Sequence, residues 1–290
     1  MDLTLVTCTQ SNDHDADEAP LVAALTDAGV DVRVAAWDDP AVDWSAAPLT
    51  VLRSTWNYAD DRDGFLAWAR STAAASTVLR NPLNVLGPNT HKSYLAGLER
   101  DGVPTVPTRW FARGASPATE AAMVALPWDR IVVKPAVGGG SSGVRAFDLR
   151  SAGGGADAAA HVADLQQRGE AMVQPELQSI VEQGERDVVW IDGEITHVVV
   201  KARRLEGDDE QIITARPPSE EETRLAEHVM RIQPSYQQRE LLYARIDMAP
   251  DELGTLRVVE LELVEPSLLL THHEPALARF VAALWRETRR

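Results

Sequence analysis

The sequence predicts an α/β protein, with an N-terminal layer of mostly parallel strands followed by further mixed α/β units. Three observations predict it. Over the first 75 residues, apolar runs of strand length alternate with helical stretches. A segment from 81 to 89 holding Pro82, Gly87 and Pro88 then interrupts the pattern. Beyond it, an apolar strand runs straight into Gly138-Gly139-Gly140-Ser141-Ser142-Gly143, and Asp192-Gly193 sits between two β-rich runs as a hairpin turn.

The elements follow in order. Residues 2–7 read as a buried strand, and 19–29 as a helix stopped by Gly29. Residues 30–36 and 49–53 alternate as further strands, and 65–75 is helical. The segment 81–89 reads as a linker, followed by a helix over 91–100 that carries Lys92 near its start. Arg130 to Pro135 is an apolar strand. Residues 151–157, rich in Gly and Ala, read as an exposed turn before a helix over 157–168 and a strand over 171–174. Residues 188–200 form two strands about the Asp-Gly turn. The acidic, Pro-containing stretch 205–222 reads as a mobile loop. A helix near 220–231, strands near 241–247 and over Leu256 to Val264, and a helix over 274–287 complete the chain.

Composition narrows the function classes. The 290 residues carry 28 basic and 44 acidic side chains, a formal net charge of −16 that argues against nucleic acid or an anionic membrane as partner. No apolar run reaches the ~18 residues of a bilayer span, and the first residues lack the features of a signal peptide. The lone Cys8, which has no partner for an internal disulfide, suits a reducing compartment and reads as a small buried thiol. The expectation is a cytoplasmic globular protein. Only three basic residues are lysines, Lys92, Lys134 and Lys201, against 25 arginines. An ammonium is a compact point charge that the planar guanidinium does not replace, so each lysine invites a specific role.

Two groups of residues carry chemistry. The run 138–143 can bring backbone N–H groups and hydroxyls close to an anion, although by itself it fits a flexible turn better. It is neither a P-loop nor GxGxxG. Lys134, four residues earlier at a strand end, strengthens the anion reading, because a buried ammonium needs a counter-charge. The second group lies near the C-terminus. Alternation over 258–264 puts Glu260 and Glu262 on one strand face, and Arg245 and Asp247 share a face thirteen residues upstream. Such a set is either a wet strand face or a site where hard carboxylate oxygens hold Mg²⁺ beside phosphates. Arg245 then stands ready to stabilise a transferring phosphoryl group.

These parts, in this order, resemble the ATP-grasp ligases, which include glutathione synthetase and D-alanine–D-alanine ligase. The resemblance is strongest to the small subfamily that includes the cycloserine-forming ligase of antibiotic biosynthesis. It rests on Arg53-Ser54-Thr55-Trp56-Asn57-Tyr58, Val133-Lys134-Pro135, Val173-Gln174-Pro175, Gly184-Glu185, Ile191-Asp192-Gly193-Glu194 with His197 and Lys201, Leu242 to Asp247, and Glu260 to Leu268. They span about residues 50–270. The resemblance implies an ATP-grasp fold of three units, 1–85, 86–172 and 173–290, with ATP held between the last two. It implies phosphate contacts from Lys92, Lys134 and the loop residues Gly139, Gly140, Ser141 and Ser142. Gln174, Pro175, Glu176 and Leu177 would form the adenine hinge, with Lys201 near the base and Glu185 on the ribose. Asp247, Glu260 and Glu262 would hold Mg²⁺, and Arg245 would be the catalytic arginine. Arg53, Trp56, Tyr58, Arg203 and Ser267 would face the substrate. Arg186-Asp187 departs from the Ser that relatives commonly carry, and His91 stands where an acidic residue is common.

The expectation is an ATP- and Mg²⁺-dependent ligase. It would activate an acyl group of a small amino-acid-like substrate as a phosphate and form a C–N bond, ring-closing or between two molecules, releasing ADP and phosphate. The rival readings are a nucleotide-binding module without turnover and a ligase that adds amino acids to a protein or peptide. A homodimer is compatible with all three. The carboxylate set speaks against the first rival, and the lack of a basic cluster for an acidic acceptor against the second.

Overall fold

A computed structural model describes residues 1–10, 15–75, 77–237 and 240–290. The chain opens with β1 (Leu3–Thr7), α1 (Glu18–Asp27), β2 (Val32–Ala36), β3 (Leu49–Leu52), α2 (Arg62–Ala74) and β4 (Val78–Arg80). These strands form one sheet in the order β2-β1-β3-β4, every pairing parallel. Apolar residues of β1 and α1 meet Phe280 and Leu284 from the far end of the chain, so the C-terminal helix closes the N-terminal layer. Cys8, just past β1, is half-buried rather than buried.

The segment expected to be a linker is instead a joint. Residues Leu83–Asn89 form helix α3, with Pro82 as its extended cap residue. Pro88 falls at the helix end, where only one backbone bond is forfeited. Asn81 donates to the carbonyls of Tyr243 (2.9 Å) and Leu263 (2.8 Å) and accepts from the Leu242 amide. Asn89 similarly brackets Leu261 and Leu263. Polar turn residues that looked like punctuation therefore satisfy buried strand backbone, which must find partners somewhere.

Next come α4 (Tyr94–Arg100), β5 (Arg109–Phe111), α5 (Glu120–Val124), β6 (Arg130–Pro135), β7 (Arg145–Asp148), α6 (Gly154–Arg168) and β8 (Ala171–Pro175). Helix α4 starts two residues after Lys92, which stands on the preceding turn. The four strands form a second sheet, β5-β8-β6-β7. The expected boundary at 172–173 falls within β8. The expected exposed turn over 151–157 is also corrected, because α6 already begins at Gly154. A Cβ there would lie 1.9 Å from the Asp148 carbonyl oxygen, so only glycine permits this approach.

The chain ends with α7 (Gln178–Gln183), β9 (Glu185–Ile191), β10 (Glu194–Lys201), β11 (Ile212–Arg216), α8 (Glu220–Arg231), α9 (Pro234–Gln237), β12 (Tyr243–Pro250), β13 (Leu256–Glu262) and α10 (Glu274–Glu287). Its sheet runs β11-β10-β9-β12-β13, all antiparallel. The stretch expected to be a mobile loop supplies β11, an edge strand on β10. Its side chains are mostly exposed, so no buried face imposed an alternation on the sequence. Ser219 and Glu222 form a capping box at the start of α8, and Arg216 grips the Glu222 carboxylate at 2.6 and 2.8 Å. His273 caps α10 by accepting from the Ala276 amide at 3.2 Å. Among the described residues no helix is long and apolar enough to cross a membrane.

Strand β13 divides its faces as the alternation predicted. Leu261 is 2% exposed and packs with Ile246, Leu95 and Val229, whereas Glu260 and Glu262 are partly open. Leu261→Ala is expected to cost about 2–5 kcal/mol as a core cavity. Thermal melting checks this, with turnover per folded molecule largely kept.

Candidate active site

The site is a cleft between the second and third sheets, floored by the ends of β6, β8, β9, β12 and β13. Strand β6 delivers Lys134, and the chain then turns through the glycine-rich run. Gly140, Ser141 and Gly143 all take left-handed backbone conformations, with φ of 58°, 62° and 72°. Two glycines make that path cheap, and Ser141 bears the strain of a side chain there.

The three lysines differ in their partners. Lys92 donates to the Gly138 carbonyl at 2.8 Å and pairs with Glu260 at 2.7 Å. Burial works against its charge, but Glu260 overrides this and raises its pKa. Lys201 pairs with Asp187 at 2.7 Å and Glu210 at 3.2 Å. Lys134 is 8% exposed, and among the described residues no carboxylate lies within ion-pair distance of it. Burial pushes its pKa down, Lys92 adds repulsion, and Glu260 only partly offsets them. A buried ammonium without a partner is a site for an anion.

Opposite stands a carboxylate wall. Strands β12 and β13 place Asp247 directly across from Glu260, and Arg245 across from Glu262. Arg245 forks onto Asp247 at 2.8 and 2.9 Å, reaches Glu262 at 2.6 Å, and has Asp187 at 3.3 Å. Its remaining nitrogen donates to the Ser267 carbonyl. Burial opposes ionisation of Asp247, yet the Arg245 fork holds its carboxyl below the usual range. Burial lifts Glu262 well above it despite Arg245, with the charges of Asp247 and Glu260 adding to the lift. On β9, burial and the neighbouring acids raise Glu185 to about 8 and Asp187 to about 6. So many hard oxygen donors in one buried wall carry a repulsion that a divalent cation relieves, and the donor set fits Mg²⁺.

The strand-end residues frame the remaining side. Glu176 is held by Arg130 at 2.6 Å and Arg203 at 2.5 Å, and Gln174 donates to Thr108. Gly184 has φ of 89°, and a Cβ on it would meet the Lys201 carbonyl oxygen at 2.3 Å. That close approach sets where β9 begins and so where Glu185 points. Trp56 donates to the Glu265 carbonyl at 3.0 Å, joining the N-terminal layer to the cleft.

Every site residue expected from the sequence lines this cleft except Arg53 and Tyr58. Both are 3% exposed. Arg53 lies behind the wall, donating to the Pro266 carbonyl and stacked over Tyr243 and Phe280. Asp15 and Asp17 sit 3.9 and 3.8 Å from its guanidinium. These two residues lie behind the cleft lining rather than on it.

Comparisons with known proteins decide the family and the fold. A family profile described as "D-cycloserine synthetase DcsG, N-terminal domain" matches residues 3–81. The chain is 32% identical over 294 residues to the cycloserine biosynthesis protein DcsG of Streptomyces lavendulae, covering 97% of each. The chain belongs to the DcsG family of ATP-grasp ligases. The crystal structure of D-cycloserine synthetase DcsG superposes with a TM-score of 0.87 at 30% identity, covering 99% of this chain and 100% of that one. D-alanine–D-alanine ligase from Bacillus anthracis complexed with ATP has a TM-score of 0.69 at 14% identity, covering 100% and 98%. The ATP-grasp ligase PsnB complexed with its minimal precursor reaches 0.62 at 18%, covering 99% of each chain. The last two share the fold.

As a DcsG-family ATP-grasp ligase the chain is an ADP-forming enzyme with ATP and Mg²⁺ as cofactors. The sequence reading missed Glu210 and Glu265, which line the cleft, and Asp187, buried behind its lining. Asp187, noted only as a departure, is fully buried between Lys201 and Arg245. Its spacing of two from Glu185 on one strand was the available signal. Glu265 lies past the end of the β13 alternation, so no periodicity singled it out.

Proposed function

We propose that this chain closes a cycloserine-type ring. It activates the carboxyl of an amino-acid-like substrate with ATP, and a nitrogen of the same molecule then displaces phosphate. The observation that carries the ATP half is Lys134, a buried ammonium without a counter-charge beside a glycine-rich loop. Similarity to DcsG over 97% of both chains supports the ring-closing half.

In this reading Lys134, Lys92 and the loop residues 139–142 hold the phosphates. Gln174 to Leu177 border the base, with Lys201 near it and Glu185 at the ribose. Asp247, Glu260 and Glu262 hold Mg²⁺, which neutralises phosphate charge when bound. Arg245 stabilises the charge that spreads over the phosphoryl group in transfer. Trp56, Arg203 and Ser267 border the substrate end. Catalysis is then positioning and charge neutralisation, without a covalent enzyme nucleophile.

The test incubates the protein with Mg-ATP and a panel of D- and L-amino acids that includes β-aminooxyalanine, the ring-opened form of cycloserine. ADP and phosphate are expected, with a product lighter than its substrate by one water. AMP and pyrophosphate would mean adenylation and overturn the reading. Chelating Mg²⁺ is expected to abolish turnover, since phosphate charge would then face the carboxylate wall unscreened.

A further inference from the structure

The carboxylates of the cleft are nearly all committed to cations. Glu176 is held by Arg130 and Arg203, Glu210 by Lys201, Glu260 by Lys92, and Asp247 and Glu262 by Arg245. Among the described residues two cleft carboxylates have no ion pair, Glu185 and Glu265. They stand at opposite ends. Glu185 opens β9 beside Lys201, at the nucleotide end of the proposed reading. Glu265 stands at the other end, where its main chain is pinned by Trp56 and the next carbonyl by Arg53.

Glu265 is 8% exposed and lines the cleft. Its Oε1 would lie 3.9 Å from a Cβ placed on Gly139, so it faces the glycine-rich loop. The Tyr58 hydroxyl lies within hydrogen-bonding reach of its carboxylate. The surrounding charges are Lys92 before α4, Glu260 and Glu262 on β13, and Arg245 on β12. A cleft carboxylate held in place through its backbone, without a cation to occupy its oxygens, is free to accept a proton.

We propose that Glu265 is the base that takes the proton from the attacking nitrogen in the second half of the ligase reaction. The inference rests on the ligase reading above. The nitrogen lone pair forms the C–N bond to the acyl carbon, and the C–O bond to phosphate breaks, its electron pair leaving with the phosphate. The N–H proton passes to the Glu265 carboxylate, which later returns it to water in the cleft. Burial, against the pull of Lys92, lifts this carboxyl to about 7, a value suited to holding a proton briefly near neutral pH.

The test separates the two half-reactions. Wild type and Glu265→Gln receive Mg-ATP and β-aminooxyalanine, with and without excess hydroxylamine, which captures acyl phosphates without help from the enzyme. Glu265→Gln is expected to lose ring product by about 10²- to 10⁴-fold, as loss of a general base does, while hydroxamate forms at the wild-type level. The melting shift produced by Mg-ATP should also be unchanged. Equal loss of hydroxamate and ring product would place Glu265 in ATP handling and overturn the proposal, as would full ring closure by the variant. Glu265→Asp keeps the carboxylate and is expected to retain part of the ring closure; a loss as deep as that of Glu265→Gln would also overturn it. If the wild type leaves β-aminooxyalanine untouched, the ring-closing reading fails first. The same comparison is then run with D-alanine, where dipeptide replaces ring product.

Discussion

Arg245→Met is expected to lower turnover by about 10³-fold or more, the scale of losing an arginine that stabilises a transferring phosphoryl group. The side chain also holds the carboxylate wall together. It forks onto Asp247, reaches Glu262 and neighbours Asp187. Its removal leaves buried carboxylates facing one another, and breaking such a network costs about 3–5 kcal/mol. Two measurements keep these effects apart. Thermal melting reads the stability loss, and turnover at a temperature where the variant is folded reads the catalytic loss. Arg245→Lys retains charge but not the fork, so it should recover more stability than rate. A folded Arg245→Met protein with turnover within tenfold of wild type would remove Arg245 from the chemistry.

Lys134→Ala is expected to cut turnover by on the order of 10²-fold or more and to erase most of the melting shift produced by Mg-ATP. The physical ground is that Lys134 alone of the three lysines lacks a carboxylate partner among the described residues. Its removal should not destabilise the protein without nucleotide, because burial already penalises that charge. Lys134→Arg should rescue only in part, since the wider guanidinium fork does not replace the ammonium point charge beside Gly139. A Lys134→Ala variant with unchanged ATP affinity and rate would reduce the glycine-rich run to a turn.

The sequence made much of this legible, and its failures have physical causes. Apolar runs and helix stops marked the elements that pack a core, such as β1, β6 and α10. The segment 81–89 was misread because Pro and Gly signal chain breaks locally. Only contact with β12 and β13 shows that Asn81 and Asn89 satisfy strand backbone there. Strand β11 was misread because an edge strand with two wet faces needs no alternation. Arg53 and Tyr58 were expected at the substrate because the resemblance to the ATP-grasp ligases runs through the segment 53–58, and a resemblance does not show which of its side chains are covered. Arg53 instead reaches the Pro266 carbonyl and Tyr58 the Glu265 carboxylate, and neither Arg53 nor Tyr58 lines the cleft.

By itself the sequence determined which residues share a strand face, because that follows from a local period of two. Glu260 and Glu262 had to point one way and Leu261 the other wherever the strand lay. It also determined that the chain has three lysine side chains and where they fall along it. Only the tertiary structure decided how the charges pair. Lys92 meets Glu260 from 168 positions away, and Arg245 meets Glu262 through the register of two strands. Ion pairing depends on distances of a few ångströms between segments remote in the chain, and no local period encodes them. That pairing leaves Lys134 without a counter-ion and Glu265 without a cation, and so sets which charges remain available for phosphate and for a proton.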